Sequence, residues 1–138
     1  MTAYYSINPQ FYVSVDCIIF GLNEGELSLL LLKRNFEPEK GKWSLMGGFV
    51  QNDESVDDAA KRVLKELTGL ENVYMEQVGT FGEVNRDPGE RVISVAYYAL
   101  INIDEYDHKL VEKHNAQWIN IHDLPDLGFD HPAMIQKA

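Results

Sequence analysis

Residues 48–70 read GFVQNDESVDDAAKRVLKELTGL, and no other stretch restricts the fold as strongly. They spell one helix with both ends marked. Asp53 or Ser55 can supply the N-cap oxygen, and Asp57 and Asp58 follow in the first turn, where the helix dipole favours acids. Val56, Ala59, Ala60, Val63, Leu64 and Leu67 recur at helical spacing and form one apolar stripe. Gly69 stands where a left-handed C-terminal residue would stop the helix. A helix apolar along one stripe must lie on something, so the flanking chain has to supply a sheet.

The rest of the chain reads as that sheet. Residues 11–20 are rich in β-branched and aromatic side chains and predict a strand. Asn23-Glu24-Gly25-Glu26 predicts a turn into the aliphatic run Leu27 to Leu32, a strand buried on both faces and hairpinned to the first. Residues 35–42 predict a loop, and Trp43 to Val50 a short segment around a glycine pair. Strands are further expected over 73–81, 91–103 and 117–121. Residues 82–90 predict a loop, 104–115 a polar segment with a possible short helix, and 122–131 another loop. Pro132 marks the start of a last helix. Strands on both sides of a central helix, with hairpins, predict an α+β sandwich with a mixed sheet.

Composition narrows the partners. The net charge of −10 argues against this chain itself gripping a nucleic-acid backbone, which needs a basic face. No apolar run approaches the ~20 residues that span a membrane, and residues 1–6 lack a signal-peptide core. The one cysteine, Cys17, lies in an apolar run and predicts a buried thiol; a reducing, cytoplasmic setting is expected.

The capped segment resembles the Nudix box, G-x5-E-x7-R-E-U-x-E-E-x-G-U, with U a bulky aliphatic residue. Seven positions match in one register: Gly48, Glu54, Arg62, Leu64, Glu66, Gly69 and Leu70. Val63 and Leu67 stand where the pattern has Glu, and Met46 replaces a frequent Pro upstream. Further segments resemble the Nudix-related transcriptional regulators. They include Leu30 to Arg34, Trp43 to Val50, Glu76 to Gly82, Arg86-Asp87-Pro88, Arg91 to Tyr98, and Leu124-Pro125 with Phe129-Asp130-His131. The resemblance implies a Nudix α/β/α sandwich. It also implies a single ligand-sensing domain over 1–138, followed beyond Ala138 by a winged-helix DNA-binding domain. Such regulators fall into a branch sensing ADP-ribose and a branch sensing sugars, and the second is the nearer likeness. The expectation is therefore a homodimeric sensor of a small sugar such as L-arabinose that meets DNA only through the domain to come.

In an active Nudix enzyme, carboxylates at 63, 66 and 67 would share one helical face, since i, i+3 and i+4 are neighbours, and would hold Mg²⁺. Val63 and Leu67 leave Glu66 as a weak remnant, so no catalytic residue, metal or cofactor is expected. The resemblance gives Glu54 and Arg62 a structural ion pair, with solvated surface charges as the competing reading. Two alternatives stay open. One is a hydrolase of ADP-ribose or another nucleoside diphosphate derivative, with Mg²⁺ and with Glu83 or Glu90 supplying ligands; the other is a non-catalytic ADP-ribose sensor. Arg34, Trp43, Arg86, Asp87 and Arg91 are the candidate ligand contacts, Trp43 for stacking and the rest for polar contacts; loop salt bridges and a core Trp are the competing readings. His108, His114 and His122 show no metal spacing, and His131 is expected to cap or brace the last helix.

Overall fold

The first hairpin closes through two residues with positive φ, Glu24 (52°) and Gly25 (80°), the backbone that a two-residue hairpin turn needs. The structure is a computed structural model and describes residues 5–33, 42–105, 113–127 and 130–138. Strand β1 (Tyr12–Asn23) runs antiparallel to β2 (Glu26–Lys33), with Asn23 opposite Glu26. Leu29 to Leu32 are all buried, so β2 is covered on both faces, as its unbroken aliphatic run predicts. The other strands are β3 (Trp43–Ser44), β4 (Met46–Phe49), β5 (Glu76–Phe81), β6 (Val92–Asn102) and β7 (Ala116–Asn120). Their order is β3-β2-β1-β6-β5, with β4 also paired to β1 and β7 to β2. The β1–β6 pair is parallel and the others antiparallel, which makes the sheet mixed.

Helix α1 (Val56–Thr68) is capped by the Ser55 Oγ, which accepts from the Asp58 N–H at 3.0 Å; Asp53 is not the cap. Gly69 ends it at φ 81°, its N–H donating to the Lys65 carbonyl. Alternation along β1 sends Val15, Cys17 and Ile19 to the α1 face, where they pack with Ala59, Ala60, Val63, Leu64 and Tyr97. Ile18 points the other way and packs with Leu29, Leu31, Leu45 and Met134, the last from helix α2 (His131–Lys137). The two clusters make an α/β/α sandwich.

Several boundaries differ from expectation for local reasons. β1 runs on to Asn23, because β6 continues to pair with it as far as Leu22 opposite Asn102. β5 starts at Glu76 rather than Val73. Val73 is buried in the preceding loop, and Asn72 takes a left-handed backbone (φ 59°) that no strand accommodates. The polar stretch after β6 opens with a 3-10 turn, Ile103–Glu105. Residues 106–112, with His108, and 34–41, with Arg34, lie outside the described residues, as does Phe129. No helix among the described residues is long and apolar enough to cross a membrane.

Cys17 is fully buried, its Sγ–H toward the Ala60 carbonyl at 3.6 Å, and burial followed by the nearby Asp16 charge pushes the thiol pKa well up. The thiolate is the reactive form. Ellman's reagent is therefore expected to leave the native protein unlabelled over an hour and to titrate one thiol in guanidinium chloride.

Candidate functional site

The loop between β4 and α1 is organised by Arg62. Its Nε and Nη2 donate to the two oxygens of Glu54 at 2.9 and 2.7 Å, Nη2 also donates to the Phe49 carbonyl at 2.9 Å, and Nη1 reaches Glu66 at 3.1 Å. Glu54 in turn accepts the Gln51 N–H at 3.0 Å. The Arg62 bonds, then the Gln51 N–H, hold the Glu54 carboxyl below the usual range, and Glu54 raises the Arg62 pKa. One guanidinium thus ties the end of β4, the loop and the middle of α1 into a single unit, and the Glu54–Arg62 contact is a bidentate ion pair.

Val63 is only 2% exposed and lies so near Gly48 that a Cβ there would fall 2.7 Å from its Cγ2. Leu67 packs half-buried on the same cluster. Glu66 is 60% exposed on the Arg62 side. A divalent cation at this face would find one carboxylate, already paired with a guanidinium, between two aliphatic side chains. Such a donor set does not fit Mg²⁺, which asks for several hard oxygens. Among the described residues no three His, Cys, Asp or Glu side chains gather as a metal would need. Glu83 and Glu90 are both exposed on the loop after β5.

That loop is anchored through the interior. The Arg86 side chain is 4% exposed and donates from Nε and Nη2 to Asp130 at 2.9 and 2.8 Å, with Asp16 at 4.0 Å. Burial works against its charge, but Asp130 and Asp16 outweigh burial and hold its pKa above the ordinary value. Asp16 accepts from the Ser94 hydroxyl at 2.5 Å and faces His131 Nε2 at 3.1 Å, while His131 Nδ1 accepts the Leu45 N–H at 3.2 Å. Because Nδ1 offers a lone pair to a backbone donor, the ring hydrogen lies on Nε2, aimed at Asp16. Gly47 leaves room for this arrangement: a Cβ there would meet Asp16 Oδ1 at 2.5 Å.

The candidate contacts are therefore used differently. Arg86 points inward and is committed to Asp130 rather than held free for a ligand. Asp87 accepts the Gly89 N–H at 2.7 Å and shapes the loop. Arg91 donates to the Gly82 carbonyl at 2.8 Å and lies 4.9 Å over the Phe11 ring, which keeps it at the surface near the start of β1. Trp43 is half-buried against the α2-side cluster and bridges to Leu127, so much of its face is taken up by packing. His131 braces the sheet to α2 through Asp16 and Leu45, and His122 is exposed.

Residues 10–138 match the family model for the NUDIX domain. The chain belongs to that family. This NUDIX domain is 36% identical over 134 residues to the ADPR responsive transcriptional repressor NtrR of Acinetobacter baylyi, covering 94% of this chain and 54% of the relative. The chain thus spans about half the length of that repressor. It is 31% identical over 128 residues to the ADP-ribose pyrophosphatase of Methanocaldococcus jannaschii, covering 92% and 75%. The NUDIX domain of Shewanella oneidensis NrtR, solved with ADP ribose, superposes with a TM-score of 0.80 at 29% identity over 99% of this chain and 96% of that one. The same protein solved with a 27mer DNA gives 0.82 at 31% identity over 91% and 59%.

Proposed function

We propose that this NUDIX domain is a non-catalytic ADP-ribose sensor belonging to a dimeric transcriptional regulator, with DNA bound by a part beyond these residues. The observation that carries the proposal is the state of the box: the loop–helix scaffold is complete around Arg62, while Val63 and Leu67 fill two carboxylate positions with buried or half-buried aliphatic side chains. Such a scaffold keeps its shape without a cation. The relatives support ADP-ribose as effector. The repressor from Acinetobacter and the Shewanella domain are both named with that ligand, and the sugar expected from the sequence gives way to it.

The hydrolase reading retains one support, the likeness to an ADP-ribose pyrophosphatase. It would require Glu83 or Glu90 to swing from exposed loop positions onto the box. Calorimetry with ADP-ribose and with L-arabinose, combined with assay of ADP-ribose cleavage in Mg²⁺, tests all three. Binding of ADP-ribose without turnover and no binding of arabinose is expected. Turnover near the ~1–10³ s⁻¹ of ordinary enzymes would sink the sensor reading. Among the described residues Arg91 is the candidate donor left at the surface, and Arg91→Ala is expected to weaken ADP-ribose binding about ten- to a hundredfold, the scale of one lost charged hydrogen bond.

A further inference from the structure

At one end of the sheet β6 outruns its neighbour. Strand β5 begins at Glu76, opposite Tyr98, while β6 goes on pairing with β1 as far as Asn102. Residues 99–102 therefore have β1 on one side and, among the described residues, no strand on the other. Backbone groups alternate between the two sides of a strand, so part of this stretch turns N–H and C=O groups toward an open edge. A groove of about 490 Å³ follows that edge.

The side chains along the groove are apolar and acidic. Tyr98 and Leu100 leave β6 on the same face and are 37% and 63% exposed, and Tyr74 is 80% exposed. Both phenols donate to Glu76, Tyr74 to one carboxylate oxygen and Tyr98 to the other, each at 3.2 Å. These donors are neutral and leave the carboxylate charge in place. Glu105 stands exposed in the 3-10 turn that follows β6. Among the described residues no Lys, Arg or His lines the groove, so its two carboxylates have no counter-charge there.

We propose that this edge docks an extended basic peptide, which pairs its backbone with β6 beyond the start of β5 and sets arginine or lysine side chains against Glu76 and Glu105. Main-chain bonds supply the pairing, and alternate side chains supply the selectivity. A guanidinium beside Glu76 also lies near two aromatic rings, whose faces attract a cation. An acidic strand would be repelled by both carboxylates, and a neutral strand would cover them without balancing their charge. The same charges disfavour a second copy of this chain, because a twofold pairing through this edge sets one acidic groove against another.

Amide NMR titrations of the domain with three capped heptapeptides test this. The first alternates arginine and valine. The second carries citrulline, the neutral isostere, in place of arginine, and the third keeps the arginines but is N-methylated throughout, so that it cannot donate backbone bonds. The first is expected to shift signals of residues 72–76 and 98–105, to slow solvent exchange of amides within 99–102, and to bind at least about tenfold more tightly than either of the others. Glu76→Gln combined with Glu105→Gln, both at exposed positions, is expected to abolish the preference for arginine over citrulline. Equal binding of the arginine and citrulline peptides, or a preference that survives in the variant, would remove the charge argument. Equal binding of the N-methylated peptide would leave a surface charge contact and no added strand. Shifts confined to another surface would also overturn the proposal, as would concentration-dependent shifts of residues 98–102 without peptide, which would give the edge to a second copy.

Discussion

Arg86→Ala is expected to destabilise the domain by ~3–5 kcal/mol, the cost of removing one partner from a buried ion pair. The reason is the company it leaves. Asp130 loses both hydrogen bonds from one guanidinium and Asp16 loses its nearest cation, while Asp16 stays buried and Asp130 half-buried. The neutral His131 ring gives Asp16 a donor but no balancing charge. For a chain of this size such a loss lowers the melting temperature by roughly 10–15 °C. Arg86→Lys should recover only part of it, because an ammonium cannot make the paired contact that the planar fork makes with Asp130. Urea unfolding of wild type and both variants measures the difference. A loss below about 1 kcal/mol for Arg86→Ala would show that the loop's anchor lies elsewhere.

That network marks the boundary of what the sequence could tell. Elements built from neighbours in the chain were legible: a cap at Asp53 or Ser55, the Gly69 stop, the hairpin over Glu24-Gly25 and the aliphatic β2. Each is set by residues within a few positions of one another. The Glu54–Arg62 staple was legible in a different way, through the spacing of the box. The Asp16–Arg86–Ser94–Asp130–His131 network joins residues up to 115 positions apart and has no period to reveal it. Two signals did point to it. Asp16 is an acid inside the apolar run Val15-Asp16-Cys17, and a buried carboxylate there needs partners. Gly47 has a neighbour, Gly48, that the box explains, while Gly47 itself is explained by the Asp16 carboxylate lying against it. By pattern alone Arg86 is a polar donor for a ligand or a member of a loop salt bridge, and nothing local chooses between them. The structure turns it inward because two acids wait there.

The effector is not legible in the sequence for a related reason. The segments 30–33 and 43–50, which carry much of the likeness to the regulators, serve packing: Leu30, Leu31, Leu45 and Met46 are core, and half-buried Trp43 packs against it. Residues that keep a fold together say little about what lies on it.

The second large effect is expected at the box itself, where Val63→Glu tests whether position 63 belongs to the core. Val63 is closed in by Gly48 and the α1-side cluster, so the new carboxyl enters a cluster of apolar side chains. Burial raises the pKa of such a group, and the sign of the pH dependence follows. At low pH the carboxyl is neutral in both folded and unfolded chains, and the variant loses only packing and one polar burial. Above about pH 4.3 the unfolded chain ionises and binds fewer protons than the folded one, so stability falls with pH until the folded carboxyl also ionises. The deficit relative to wild type should therefore grow by roughly 1.4 kcal/mol per pH unit across that window and then level off. Denaturant unfolding at pH 4, 5, 6 and 7 measures it. A deficit that stays flat with pH would mean that the new side chain reaches solvent past Glu66, and that position 63 still lies open as an enzyme of this fold would need it.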